Sequence, residues 1–94
     1  MKISPKNILS HVIIGLEAEV LKSTNPQLVG LNGTIIDETQ HLILLATSSG
    51  VKKIIKKEIT LLITLPDGVR VVVEGVKLIG RPEDRVKRVQ RRRW

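Results

Sequence analysis

The sequence has no cysteine, no phenylalanine and no tyrosine, and its single tryptophan is Trp94. The missing cysteines exclude disulfide staples, a cysteine nucleophile and thiolate-bound zinc in this chain. A reducing compartment is compatible with that composition but is not established by it. With aromatics at 1% and hydrophobic residues at 41%, any core must be filled by Val, Ile and Leu. No Gly-rich phosphate loop and no two-His helical motif occurs, and His11 and His41 stand thirty residues apart, so no nucleophile–base arrangement is visible. The acidic pairs are few. Asp37 and Glu38 are neighbours on an expected strand and would point to opposite faces, which makes a poor metal clamp. Glu83 and Asp84 suit the positive end of a helix dipole. Lys2 and Lys6 precede an apolar stretch broken by Ser10 and His11, with no small-residue cleavage pattern after it. Neither a secretory signal nor a membrane span is expected, and the chain reads as cytoplasmic.

What is present is a strong basic excess, unevenly placed. The 94 residues suit one domain with a small core and leave no room for an enzyme cleft of ordinary size. The formal charge is +7, but residues 1–80 hold nine Lys and Arg against seven acids, whereas residues 81–94 hold seven against two. Such a block suits a polyanionic partner, nucleic acid above all. The plainer alternative is a solvated end that keeps the protein soluble. Without aromatic stacking platforms, recognition of nucleic acid would have to rest on backbone and shape contacts.

Along the chain, Ser4-Pro5-Lys6-Asn7 reads as a helix start. Ser4 suits the N-cap, Pro5 the first helical position, and Ile3 and Ile8 a hydrophobic staple. Ile8, Leu9, Val12 and Ile13 share one face and Gly15 supplies a stop, so this face is expected to pack on the core or to bind a partner. His11 reads as a surface or cap-side residue.

Residues 16–22 alternate as a half-buried strand, and Ser23-Thr24-Asn25-Pro26 ends it. Gly30 and Gly33 allow a tight turn or bend before a strand over 34–39. Residues 42–46 form a short apolar run, expected to be a strand buried on both faces. Residues 51–58 have both helical spacing and β-branched residues; a strand is expected. Its Lys52, Lys53, Lys56 and Lys57 are either edge protection or nucleic-acid contacts.

Strands over 59–65 and 69–73 flank the turn Pro66-Asp67-Gly68, and a last strand is expected over 76–79. Six or so strands with short connections and glycine bends point to a mainly β fold, a small closed or nearly closed antiparallel barrel. Gly80-Arg81-Pro82 opens a second, basic helix with little apolar surface, expected to order on a partner. The organisation is thus one domain: a helical extension (1–15), a barrel (16–80) and a basic helix or tail (81–94).

Three motifs in order carry a resemblance: Ser23 to Thr39 (STNPQLVGLNGTIIDET), Leu65-Pro66-Asp67-Gly68, and Gly80-Arg81-Pro82-Glu83-Asp84-Arg85. Together they closely resemble the archaeal ribonuclease P protein component 1 family, over roughly residues 7–87. Ile55 departs from the pattern, since many members place Pro there. The resemblance implies a six-stranded Sm-like barrel with short terminal helices, acting as an accessory subunit. The RNA of the ribonucleoprotein would cleave the 5′ leader from precursor tRNA, with magnesium serving that RNA and no cofactor in this chain. It also implies partners: the ribonuclease P RNA, near its specificity domain, a zinc-ribbon protein subunit and, indirectly, precursor tRNA. The isolated chain is expected to be a monomer.

By analogy, Lys22, Ser23, Asn25, Arg81 and Arg85 lead the RNA-contact positions. Lys52, Lys53, Lys56, Arg70, Lys87, Arg88 and Arg91 supplement them. Ile8, Leu9, Val12 and Ile13, with the neighbouring strand, form the expected protein-partner face. A general Sm-like RNA-binding module and a pure protein-interaction barrel remain the alternatives.

Overall fold

The computed structural model describes residues 13–80. Six strands form one antiparallel sheet: β1 (Glu17–Ser23), β2 (Asn32–Glu38), β3 (Leu42–Thr47), β4 (Gly50–Ile55), β5 (Ile59–Thr64) and β6 (Arg70–Glu74), in the order β4-β3-β2-β1-β5-β6. The expected C-terminal helix lies outside the described residues, as does the expected N-terminal helix up to residue 12; residues 13–15 are not helical.

The strands arise from period-two alternation with one buried face. On β5, Ile59, Leu61 and Ile63 are buried while Thr60, Leu62 and Thr64 are half-buried. Ala18, Val20, Ile35, Ile43, Leu45, Ile54 and Val73 supply the same inward face from the other strands, and Ile13, Leu16, Leu65 and Leu78 complete an all-aliphatic core. β3 is not buried on both faces as expected: Ile43 and Leu45 are buried, whereas Leu42, Leu44 and Ala46 are half-buried. A single curled sheet has only one interior face, so even an uninterrupted apolar run must alternate.

Local turn chemistry fixes the connections. Gly68, at φ +90°, closes the β5–β6 hairpin; its amide donates to the Leu65 carbonyl at 2.9 Å, and Asp67 Oδ1 accepts from the Val69 amide at 3.1 Å. Gly33 answers a different need. A Cβ there would run into the carbonyl oxygen of Ala46 on β3, so only glycine allows the two backbones to approach this closely.

The sheet does not close by hydrogen-bonded strands, because its edges β4 and β6 do not pair. Two 3-10 turns, Lys56–Glu58 after β4 and Gly75–Leu78 after β6, pack against each other between those edges. Both correct the sequence reading. The strand expected over 51–58 breaks at Lys56, and the strand expected over 76–79 is a 3-10 turn that buries Gly75 and Leu78 at a spacing of three. A strand would have buried Val76 with Leu78, yet Val76 is exposed.

Candidate nucleic-acid interface

Two β-bulges decide where the charged side chains of this sheet go. In β1 the register against β5 shifts between Val20 and Lys22, with Val20 opposite Leu61 and Lys22 opposite Thr60. Leu21 is therefore an extra residue, and Lys22, which strict alternation would place inward with Val20, is exposed. In β2 the shift falls between Ile35 and Asp37, which lie opposite Leu45 and Leu44 of β3. Ile36 is the extra residue there. Glu38 thereby joins Ile35 on the inner face, while Asp37 turns outward and its Oδ1 accepts from the Glu38 amide at 2.8 Å.

Inside, Glu38 meets a lysine that the sequence reading places on the surface. Lys56, expected on the surface as an RNA contact, is fully buried. Its Nζ lies 2.8 Å from Glu38 Oε2 and donates to the carbonyls of Thr39 (2.7 Å), Leu78 (2.8 Å) and Gly80 (3.0 Å). An ammonium has three protons, and here carbonyl oxygens and a carboxylate surround it, which is what makes a charge tolerable in an apolar interior. The Lys56 amide donates to the His41 carbonyl at 2.9 Å and the Gly80 amide to the Gln40 carbonyl at 2.8 Å. The β2–β3 turn, the turn after β4 and the chain leaving the turn after β6 thus meet at one buried node. A Cβ on Gly75 would collide with the Lys56 carbonyl oxygen, so the two 3-10 turns need glycine to pack this closely.

The other predicted contact residues divide into separate places. Around Lys22, Ser23 Oγ accepts from the Asn25 amide at 3.0 Å and Asn25 Oδ1 from the Gln27 amide at 3.1 Å, so both acceptors build the turn that presents the lysine. Arg70 is exposed at the start of β6, opposite Thr64 of β5, where it lines a groove of about 250 Å³ with Glu17, Glu19, Asn32 and Thr34. Lys52 and Lys53 are exposed on the edge strand β4. Arg81, Arg85, Lys87, Arg88 and Arg91 lie outside the described residues, as do Ile8, Leu9 and Val12. Ile13 is buried in the core rather than offered to a partner; the Leu16 amide donates to its carbonyl at 3.1 Å and the neighbouring Gly15 amide donates to Ile35 at 2.7 Å, which tucks it beneath the sheet.

Sequence reasoning missed Glu38 as the partner of a buried lysine. The available signal was the odd spacing of Ile35 and Glu38 around the extra Ile36. Among the described residues no cluster of His, Asp and Glu could hold a metal ion, and no helix is long and apolar enough to cross a membrane.

These features define a small, mainly β domain of a basic chain, whose buried charges serve the fold and whose exposed lysines are spread over its surface. Residues 6–88 match the family model for ribonuclease P/MRP, subunit p29. The ribonuclease P protein component 1 of Thermofilum pendens is 54% identical over 89 residues, covering 94% of this chain and 95% of that protein. The component 1 of Desulfurococcus amylolyticus is 44% identical over 92 residues, covering 97% of this chain and 100% of that one. A solved structure described as Mth11, a homologue of human RNase P protein Rpp29, superposes with a TM-score of 0.59 at 27% identity, over 79% of this chain and 96% of its own. The chain belongs to the ribonuclease P/MRP p29 subunit family.

Proposed function

We propose that this protein binds the RNA of ribonuclease P in the cytoplasm and supports its cleavage of the 5′ leader from precursor tRNA, close to the specificity domain. The protein supplies no catalytic group; magnesium serves the RNA. Membership of the family together with the charge asymmetry carries the reading, since residues 81–94 hold seven Lys and Arg against two acids. Lys22, Lys52, Lys53 and Arg70 add exposed cations from the sheet. A zinc-ribbon protein subunit is the proposed protein partner, docking on the N-terminal segment and the adjacent strand.

Neutralising about five phosphates would give log affinity a salt slope of about −3.5 to −4.5. Reconstitution tests the proposal. Processing of precursor tRNA at low magnesium should improve when this chain is added to the RNA and its other subunits, and unchanged processing would count against it. A general RNA-binding module is separated by competition, because it would bind unrelated structured RNAs equally well.

A further inference from the structure

We infer that Lys56 is a positioning residue for RNA binding: its buried ammonium fixes Gly80, the point from which the chain continues into the basic residues 81–94. The inference rests on the RNA-binding reading above and adds a residue that touches no RNA.

The geometry singles out the exit. Gly80, the last described residue, is held on both sides of its Cα. Its amide donates to the Gln40 carbonyl at 2.8 Å and its carbonyl accepts from Lys56 Nζ at 3.0 Å. The next residue is Arg81, the first of seven Lys and Arg in the remaining fourteen positions. Lys56 also takes the Leu78 carbonyl, so it grips the outgoing chain twice. On the other side it holds Glu38 and the Thr39 carbonyl, at the end of β2. The lysine therefore couples the departing chain to a strand in the middle of the sheet, across the gap where β4 and β6 do not pair.

Stability alone is a weak reason for such a centre, because buried ion pairs can often be replaced by apolar side chains at no loss. A methionine at this position could fill the volume of the aliphatic stem, but it could not hold three carbonyls from two chain segments. A basic segment whose origin is fixed reaches its phosphates with less conformational freedom to lose than one that swings.

The test separates positioning from folding. Lys56→Met/Glu38→Met removes both charges and the carbonyl grip, whereas Glu38→Gln removes one charge and keeps the grip. Binding to a transcript of archaeal ribonuclease P RNA is measured by titration at several salt concentrations, with folding followed by circular dichroism. The folded double variant should lose about ten-fold in affinity, the scale on which a loosened tether lowers effective concentration. Glu38→Gln should stay within about two-fold of wild type on the same scale. In a full-length background with Arg88, Arg91, Arg92 and Arg93 changed to Gln, the double variant should cost little more, because the segment being positioned no longer carries those charges.

A folded double variant with wild-type affinity overturns the inference, as does an equal loss in both backgrounds. A second measurement needs no variant: the Gly80 amide in the unmodified chain should exchange as slowly as the core amides of β5, and fast exchange there also overturns it. If the unmodified chain shows no salt-dependent binding to the transcript, the RNA-binding reading itself fails, an outcome seen before any variant is made.

Discussion

The bulge in β1 and the bulge in β2 use one device to opposite ends. Each inserts one residue, Leu21 or Ile36, and each reverses the facing of the residues that follow. The first turns Lys22 out to solvent, on a turn built by Ser23 and Asn25. The second turns Glu38 in, against the buried Lys56. The inward charge belongs to the fold and the outward one to whatever approaches the surface. Strict alternation would have done the reverse, burying Lys22 beside Val20 and turning Glu38 out to solvent, away from Lys56. A bulge is thus a parity switch, and the same inserted residue produces a structural group or a binding group according to which face the strand had been following.

Breaking the inward member should have the largest effect. Glu38→Ala removes the carboxylate 2.8 Å from the Lys56 ammonium, and removing one partner of a buried pair typically costs about 3–5 kcal/mol. Urea denaturation should show a fall of that order, enough to unfold much of a domain of this size. Removing both charges in Lys56→Met/Glu38→Met should restore most of the stability. A double variant as unstable as Glu38→Ala would show that the carbonyl grip, rather than the charge pairing, holds the node together.

Next comes the close approach that lets β2 curl. Gly33→Ala drives a methyl group into the Ala46 carbonyl, and overpacking of this kind costs about 1–3 kcal/mol. The loss should appear as a lower denaturation midpoint with an unchanged slope. A neutral result would mean that β2 and β3 separate easily there, and that the curl of the sheet does not depend on Gly33.

The strands of the fold were legible in the sequence because an aliphatic one-faced pattern leaves few alternatives. The hairpin at Pro66-Asp67-Gly68 was legible because each residue has its own dihedral demand, which the Gly68 φ of +90° meets. Three things were not. The buried Lys56 looked like its exposed neighbours Lys52, Lys53 and Lys57, since four lysines in one run share a composition, and only the break in the strand at Lys56 separates them. The turn at Gly75–Leu78 looked like a strand because Val76 to Ile79 is apolar and β-branched in part; contact with the other 3-10 turn overrode that propensity. Open edges between β4 and β6 were hidden because strand number says nothing about whether the last ladder forms. For the candidate site, Lys22 is an RNA-contact position by resemblance to the family, whereas the bulge that exposes it has no marker in the sequence.

The smallest expected stability effects belong to the outward member, and they sharpen the contrast best. Asn25→Ala removes the acceptor for the Gln27 amide and should cost about 1 kcal/mol, the usual worth of such a cap. Lys22→Ala should change stability by less than about 0.5 kcal/mol, because an exposed side chain away from the core is being shortened. Its effect should appear elsewhere. If Lys22 meets a phosphate, its loss should flatten the salt dependence of RNA binding by about 0.7 to 0.9 in log affinity per log salt. Asn25→Ala would lower affinity, if at all, through the turn that aims Lys22, and should leave a larger share of that slope in place. Titrations of the two variants against the same RNA at several salt concentrations decide between them. A Lys22→Ala protein with wild-type slope would mean that the β1 bulge turns its lysine outward only to keep it out of the core, and the two bulges would then differ in direction but not in purpose.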